Sequence, residues 1–261
     1  MTGTKICCVP GAPSWVSLMA RDLDTAKAFY GPLLGWHFEP GPERWGPYVR
    51  ACVEGTEVAG IGAVARHWET AVHWSTYFGV ESADATAAEI RERGGTVAVG
   101  PMEFDAGRLA LAADPAGATF GIWEGERGPV RRLLIPGAPV WIELRTRDAF
   151  AAAIFYGQIF AWDRRDPGRY EVVWEHDRVV LKVDGHHVAG LTGGAVEAAA
   201  DPRVRPRWHV YFSVPDLDAA LLRAKELGGE VVGEPLDGPY GRAAGIRDPE
   251  GALLSLVSRH E

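Results

Sequence analysis

Glu143, His186, His187 and His209 are the residues of this 261-residue chain whose types and spacing best suit chemistry. An imidazole titrates near neutrality, which makes His209 a natural general acid or base and gives Glu143 the part of tuning it. The same residues can be read as ligands, because two histidines and a carboxylate make the donor set of an open catalytic metal site. A plainer reading pairs Glu143 with Arg145, two residues on, and puts His186-His187 in a hairpin loop before the Val188-Ala189-Gly190 strand. Other catalytic signatures are absent from the sequence: it has no phosphate-binding glycine loop, no Ser/His/Asp order with a nucleophile elbow and no Cys-x-x-Cys.

The elements that must position these residues come in duplicate. A shift of 126 superposes Pro13 to Phe38 on Pro139 to Arg164 with ten identities in 26, including Trp15/Trp141, Phe29-Tyr30/Phe155-Tyr156 and Trp36/Trp162. A shift of 134 superposes Trp74 to Glu124 on Trp208 to Ser258 with 18 identities in 51, among them Tyr77-Phe78, Gly107-Arg108 and Asp114-Pro115-x-Gly117. The halves are therefore homologous, which predicts domains at 12–124 and 138–258 joined by a Gly/Pro-rich linker at 125–137. Within each half the pattern reads strand, helix, strands, then the same again. Asp22 is placed to cap a helix whose apolar positions Leu23, Ala26, Phe29 and Tyr30 follow helical spacing, with Gly35 closing it. Further helices are expected from Asp84 to Arg93, Ala149 to Phe160 and Asp216 to Leu227. The two Asp-Pro-x-Gly turns join final hairpins, proline presetting the second turn position and glycine taking the left-handed one. Four βαβββ units result.

Composition narrows the class. Hydrophobic residues at 47%, charged residues at 24% and ten tryptophans supply a packed core and exclude a disordered or fibrous chain. A net charge of −8, from 27 basic and 35 acidic side chains, argues against a nucleic-acid partner. The Arg203, Arg205, Arg207 run has no basic helix or aromatic platform beside it and reads as a solvated connector. Three cysteines, two of them adjacent at Cys7-Cys8, make a poor disulfide framework and fit a reducing compartment. With no signal-like stretch and no apolar run near 18 residues, the expectation is a cytoplasmic protein without membrane contact, as a monomer or homodimer.

The Asp-x-x-x-Ala-x-x-Phe-Tyr helix, the Gly-Trp after it, Gly-Gly-x-Val, Gly-Arg and Asp-Pro-x-Gly together resemble the vicinal oxygen chelate superfamily, the glyoxalase, bleomycin-resistance and extradiol-dioxygenase group. The resemblance runs through nearly the whole chain and is closest to tandem two-domain glyoxalase-like proteins. It implies an α+β fold of two tandem domains, each of two βαβββ units forming a curled, cup-like mixed sheet. It also implies where a metal would bind: a His or Gln on the first strand, a carboxylate late in the first unit, a His on the fifth strand and a Glu on the last. Here those positions fall on Trp15 and Trp141, on the Val-Ala-Gly strands, on Ser75 and His209, and on Gly121 and Ser255. Only His209 can ligate. The resemblance thus implies cups without the superfamily's metal, and no cofactor is expected.

Alternation along the strands selects the side chains that face each cup. Trp15, Ser17, Ser75, Tyr77 and Trp123 line the first; Trp141, Glu143, Arg145, His209, Tyr211 and Ser255 line the second. Such walls suit metal-independent binding of a planar aromatic or polyketide-like molecule, of the drug-binding or self-resistance type. A competing reading fills the cups with their own aromatics. Another makes the protein a metal-free enzyme or accessory protein of secondary metabolism. In it His209 works as acid/base and Glu143 tunes it, while Tyr211 or Ser255 orients substrate. A third is a divergent divalent-metal lyase, isomerase or dioxygenase using Glu143, His186, His187 and His209. Any chemistry is expected in the second half, which holds Glu143, Arg145 and His209 where the first holds Ser17, Met19 and Ser75. Arg108 and Arg242 read as structural or rim residues, and Trp36 and Trp162 as core.

Overall fold

The computed structural model describes residues 9–41, 46–65, 67, 69–104, 107–125, 135–162, 169–194, 205–238 and 241–258. Cys7, Cys8, Arg203 and most of the expected linker lie outside them. The first half runs β1 (Pro13–Met19), α1 (Leu23–Leu34), β2 (His37–Pro40), β3 (Tyr48–Val53), β4 (Thr56–Gly62), β5 (His73–Gly79), α2 (Ala83–Glu92), β6 (Thr96–Phe104), β7 (Gly107–Ala113) and β8 (Thr119–Glu124). The second repeats it as β9 (Pro139–Arg145), α3 (Ala149–Ile159), β10 (Tyr170–Glu175), β11 (Arg178–Val183), β12 (His186–Thr192), β13 (Arg207–Ser213), α4 (Leu217–Glu226), β14 (Glu230–Gly238), β15 (Gly241–Arg247) and β16 (Leu253–Ser258). The expected α+β architecture of four βαβββ units is what the chain forms.

Each half makes one curled, mixed eight-stranded sheet, in the orders β2-β3-β4-β1-β5-β8-β7-β6 and β10-β11-β12-β9-β13-β16-β15-β14. Parallel pairing fixes the registers that matter for function: Ser17 opposite Gly60, Tyr77 opposite Gly121, Glu143 opposite Gly190 and Tyr211 opposite Ser255. Of the described helices, none is long and apolar enough to cross a membrane.

Local chemistry explains where the helices begin. Asp22 accepts from the Thr25 amide at 2.7 Å, and Asp148 and Asp216 do the same for α3 and α4, satisfying amides that have no partner inside the helix. Gly35 closes α1 in the left-handed conformation at φ 69°. One helix departs from expectation. α2 begins at Ala83, one residue before the expected start, because Ser82 caps it, its hydroxyl accepting from the Ala85 amide. The sequence also gives no bounds for β2, β6 or β14, which are mostly exposed and lie at sheet edges, where the apolar alternation that marks a strand is weak.

The contacts of the chain resolve into two compact units: Met1–Trp15 with Thr76–Val130 and Ile142–Trp208, and Val16–Ser75 with Arg131–Trp141 and His209–Glu261. Each unit combines βαβββ units from different halves. In the first, α2 packs with α3 over a core of Phe78, Phe120, Tyr156, Phe160 and Trp208, Phe78 stacking on Phe160 at 4.7 Å. In the second, α1 packs with α4 over Tyr30, Trp36, Trp74 and Phe212, Trp74 lying 4.9 Å from Phe212.

Buried hydrogen bonds repeat in both units. In the first, Trp208 Nε1 donates to Tyr156 Oη at 3.0 Å, and Tyr156 Oη donates to Asp114 Oδ2 at 3.0 Å. In the second, Trp74 donates to Tyr30 at 3.2 Å and Tyr30 to Asp248 at 2.8 Å. The other oxygen of each aspartate receives the amides of its own turn, Ala116 and Ala118 or Glu250 and Ala252. The Asp-Pro-x-Gly aspartate therefore shapes a hairpin and also anchors the opposite half. Trp162 Nε1 likewise donates to Gly11 O at 2.7 Å and Trp36 Nε1 to Gly137 O at 2.8 Å, so these two tryptophans are core residues as expected. Burial drives the Tyr30 and Tyr156 phenols well above their ordinary range, with the facing carboxylates adding to it. Burial also raises both aspartates, against the opposing effect of the bonds they accept.

Candidate functional site

On β1, β5, β9 and β13 the strand alternation divides the side chains into two sets. Val16, Leu18, Trp74 and Phe78 belong to the core set, as do Ile142, Leu144, Trp208 and Phe212. The other set carries the expected cup residues, and each compact unit holds part of it.

In the first unit, Tyr77 and Trp123 are held by glycines. A Cβ on Gly121 would overlap the Tyr77 ring, so the last-strand position that holds glutamate in the superfamily's metal enzymes is here covered by an aromatic. A Cβ on Gly107 would overlap Trp123 and the Glu124 carbonyl, which explains the glycine of the Gly-Arg pair. Phe104 meets Trp123 edge-on at 6.3 Å. Trp123 is buried, whereas Tyr77 and Trp15 are half-buried and keep part of their faces accessible.

The same unit contains Glu143, buried at 4% exposure. Its Oε1 accepts from Arg178 Nη1 at 2.8 Å and Thr192 Oγ1 at 2.9 Å, and its Oε2 lies 3.4 Å from Arg145 Nε. The pairing with Arg145 is as expected; Arg178 and Thr192 are additions. The histidines do not join this carboxylate. His186 and His187 are the first residues of β12 and not part of a loop, because they pair with Val183 and Lys182 of β11. His187 Nε2 lies 3.3 Å from Glu175, which also binds Lys182. A Glu143/His186/His187 ligand set thus has its carboxylate held by two arginines and a histidine committed elsewhere.

In the second unit, Ser17 and Ser75 are buried at 4% and 2%. A Cβ on Gly60 would overlap the Tyr48 hydroxyl and come 3.1 Å from Ser17 Oγ. Gly60 belongs to the Val-Ala-Gly strand on which the resemblance implies a late carboxylate, and here the Tyr48 ring covers it. Tyr48 escaped the sequence reading; its alternation with Arg50 on β3, two residues apart, is the signal that could have found it.

The same unit holds the second half's His209, Tyr211 and Ser255. His209 is buried at 2%, and its Nε2 lies 2.8 Å from Ser255 Oγ, which joins the two positions where metal enzymes of this fold place a histidine and a glutamate. The half-buried Tyr211 meets the imidazole edge-on at 5.2 Å. Trp141 is buried at 3%. Glu143 and His209 fall in different units, each with the partners given above. Arg108 and Arg242 are structural, pairing with Asp84 of α2 and Asp218 of α4 at equivalent places in the repeat.

A metal of the superfamily's kind does not fit these positions. Tryptophan, glycine and a histidine-bound serine offer no set of three convergent N, O or S donors there.

A family model described as the glyoxalase-like domain matches residues 15–123 and again 141–257. The anthracycline biosynthesis protein DauV of Streptomyces sp. strain C5 is 37% identical, over 97% of this chain and 94% of its own length. The putative glyoxylase CFP32 of Mycobacterium bovis is 34% identical, over 95% and 94%. Among solved structures, the Mn(II)-bound glyoxalase of Novosphingobium aromaticivorans superposes with a TM-score of 0.62 at 16% identity, covering 97% of this chain and 83% of that one. A variant of homoprotocatechuate 2,3-dioxygenase from B. fuscum gives 0.59 at 13%, covering 99% and 74%. These two show a shared fold, and the matched domains and relatives show the family: the chain belongs to the glyoxalase-like family of the vicinal oxygen chelate superfamily, with two copies of the domain in tandem.

Proposed function

We propose that this protein binds a planar aromatic, polyketide-like small molecule in its cups without a metal, as a cytoplasmic monomer or homodimer serving secondary metabolism. The observation that carries the reading is the replacement of the metal-ligand positions by aromatic surface. Tyr77 lies over Gly121, Tyr48 lies over Gly60, and tryptophan stands at both first-strand positions. A face of aromatic side chains with a few buried hydroxyls binds by stacking and shape, with polar anchors setting orientation. Trp15, Ser17, Ser75, Tyr77 and Trp123 are the contacts proposed for the first cup, and Trp141, Arg145, Tyr211 and Ser255 for the second. The relatives named for anthracycline biosynthesis support a ligand of this chemistry, since an anthracycline is built on a planar fused-ring chromophore.

The test is a titration of tryptophan fluorescence with an anthraquinone probe on chelator-treated protein. Saturable quenching that is unchanged by the chelator, and weakened at least about tenfold by Trp15→Ala or Trp141→Phe, is expected. Binding that disappears with the metal and returns on adding Mn or Fe would overturn the reading.

A second reading is favoured by the bond between His209 and Ser255. A buried imidazole held at one nitrogen is preorganised as a general acid or base for the bound molecule, with Glu143 as a further catalytic candidate. His209→Ala would then abolish turnover while leaving affinity within about twofold, whereas an equal loss from Ser75→Ala would move the chemistry to the first half.

A further inference from the structure

The edge of the first sheet carries a further arrangement, on the face of β3 that also bears Tyr48 and Arg50. On β2, His37 and Glu39 are two residues apart and share a face; on the neighbouring β3, Cys52 is the register partner of His37. A histidine nitrogen, a Glu39 carboxylate oxygen and the Cys52 sulfur all lie within 4.8 Å of one another, and no other His/Cys/Asp/Glu group of three comes together this way among the described residues. Cys52 is a free, buried thiol at 1% exposure, while His37 and Glu39 are open to solvent. We infer that His37, Glu39 and Cys52 form a binding site for a borderline divalent cation of the zinc class, which staples the edge strand β2 to β3.

The chemistry of the donors selects the metal. One thiolate, one imidazole and one carboxylate suit Zn²⁺ or Co²⁺, whereas Mg²⁺ and Ca²⁺ require oxygen donors throughout. Ligand bonds of about 2.0 to 2.3 Å place such donors roughly 3 to 4 Å apart around a tetrahedral ion, so the cluster needs only a small closure. The exposure of His37 and Glu39 leaves the fourth position to water. Glu39 already shares Arg50 with Glu57: Arg50 Nη2 meets Glu39 Oε2 at 3.1 Å, and that pair does not involve Oε1. Burial, with the nearby Glu39 and Glu57 carboxylates adding to it, holds the Cys52 thiol above its ordinary value.

Cobalt is the probe, because Co²⁺ in a thiolate-containing tetrahedral site shows a sulfur-to-metal charge-transfer band and intense d–d bands. The full chain would be used in a Cys7→Ser/Cys8→Ser background, so that Cys52 is the sole thiol. Saturation at one Co²⁺ per chain with a thiolate band, its displacement by Zn²⁺, and a thermal midpoint raised by Zn²⁺ are expected. His37→Ala and Glu39→Gln alter exposed side chains and should fold normally. His37→Ala should weaken cobalt binding at least about tenfold and shift the d–d bands, and Cys52→Ala should remove the charge-transfer band. A spectrum without a thiolate band, or one unchanged by His37→Ala and Glu39→Gln, would overturn the assignment.

Discussion

Replacing Tyr156 by phenylalanine removes one oxygen from the core of the first unit and strands two groups there. Asp114 Oδ2 loses its 3.0 Å donor, and Trp208 Nε1 loses its 3.0 Å acceptor. A hydrogen bond to a carboxylate contributes about 1.5–3 kcal/mol, and an indole N–H buried without an acceptor costs roughly 1–3 kcal/mol. The aspartate keeps two backbone amides on Oδ1, so it is weakened but not abandoned. The sum is a destabilisation of about 2.5–6 kcal/mol. At roughly 2 °C per kcal/mol for a chain of this size, the thermal midpoint should fall by about 5–12 °C. Urea denaturation followed by tryptophan fluorescence, and calorimetry, would measure it. A double-mutant cycle with Trp208→Phe isolates the shared bond, and the double variant should be about 1 kcal/mol or more better than the sum of the singles, because removing the indole N–H relieves the orphan created by Tyr156→Phe. A loss below about 0.5 kcal/mol for Tyr156→Phe, or strict additivity in the cycle, would refute the reasoning. Tyr30→Phe, with the same partners in Asp248 and Trp74, should cost a similar amount.

Other expectations follow from the same geometry. Because burial holds the folded Asp248 carboxyl above the ordinary aspartate range, its stabilising contribution is fully present below that range and is lost as pH rises through the raised value. The advantage of wild type over Asp248→Asn should therefore be largest in acid and shrink toward neutral pH, and urea midpoints across that range that move in parallel would contradict it. Gly121→Ala forces Tyr77 from its seat and should cost about 1–3 kcal/mol while weakening anthraquinone quenching, in contrast to Gly117→Ala, whose Cβ meets nothing and which should leave quenching unchanged. Glu143→Leu leaves the Arg145 and Arg178 guanidiniums without their common carboxylate and should lower the thermal midpoint more than Glu143→Gln, which retains an acceptor; equal midpoints would show that the carboxylate does not hold this cluster.

Much of the fold was legible because the chain carries its own comparison. The Phe-Tyr helix, the Gly-Trp and the Asp-Pro-x-Gly turn recur at two shifts, and the four βαβββ units follow from that recurrence with turn and cap chemistry. What recurrence alone does not reveal is why these residues recur. The Tyr30 to Asp248 and Tyr156 to Asp114 bonds span 218 and 42 residues, and no local pattern reports partners so distant. The site was legible in part. Alternation placed Glu143 beside Arg145, but Arg178 and Thr192 reach it from β11 and β12 through register, which a single strand's pattern does not contain. Tyr48 was missed for the same reason, since the strand that brings it over Gly60 is two connections away from β1.

The two faces of each strand have different histories within this one chain. On the core face the halves match residue for residue where hydrogen bonds cross between halves: Trp74 and Trp208, Tyr30 and Tyr156, Asp114 and Asp248. On the other face Ser17 stands against Glu143, Met19 against Arg145, Ser75 against His209, and Gly121 against Ser255. Packing explains the first pattern, because a buried polar chain with one member replaced leaves the others unsatisfied. No such constraint holds the second face, where each side chain can change with its neighbours on a single sheet. Two pairs nonetheless match there, Trp15 with Trp141 and Tyr77 with Tyr211, and neither belongs to the cross-half bonds. Aromatic residues thus recur at the same places in both halves, whereas at the positions compared the carboxylate, guanidinium and imidazole of Glu143, Arg145 and His209 stand only in the second half, where the proposed proton chemistry would lie.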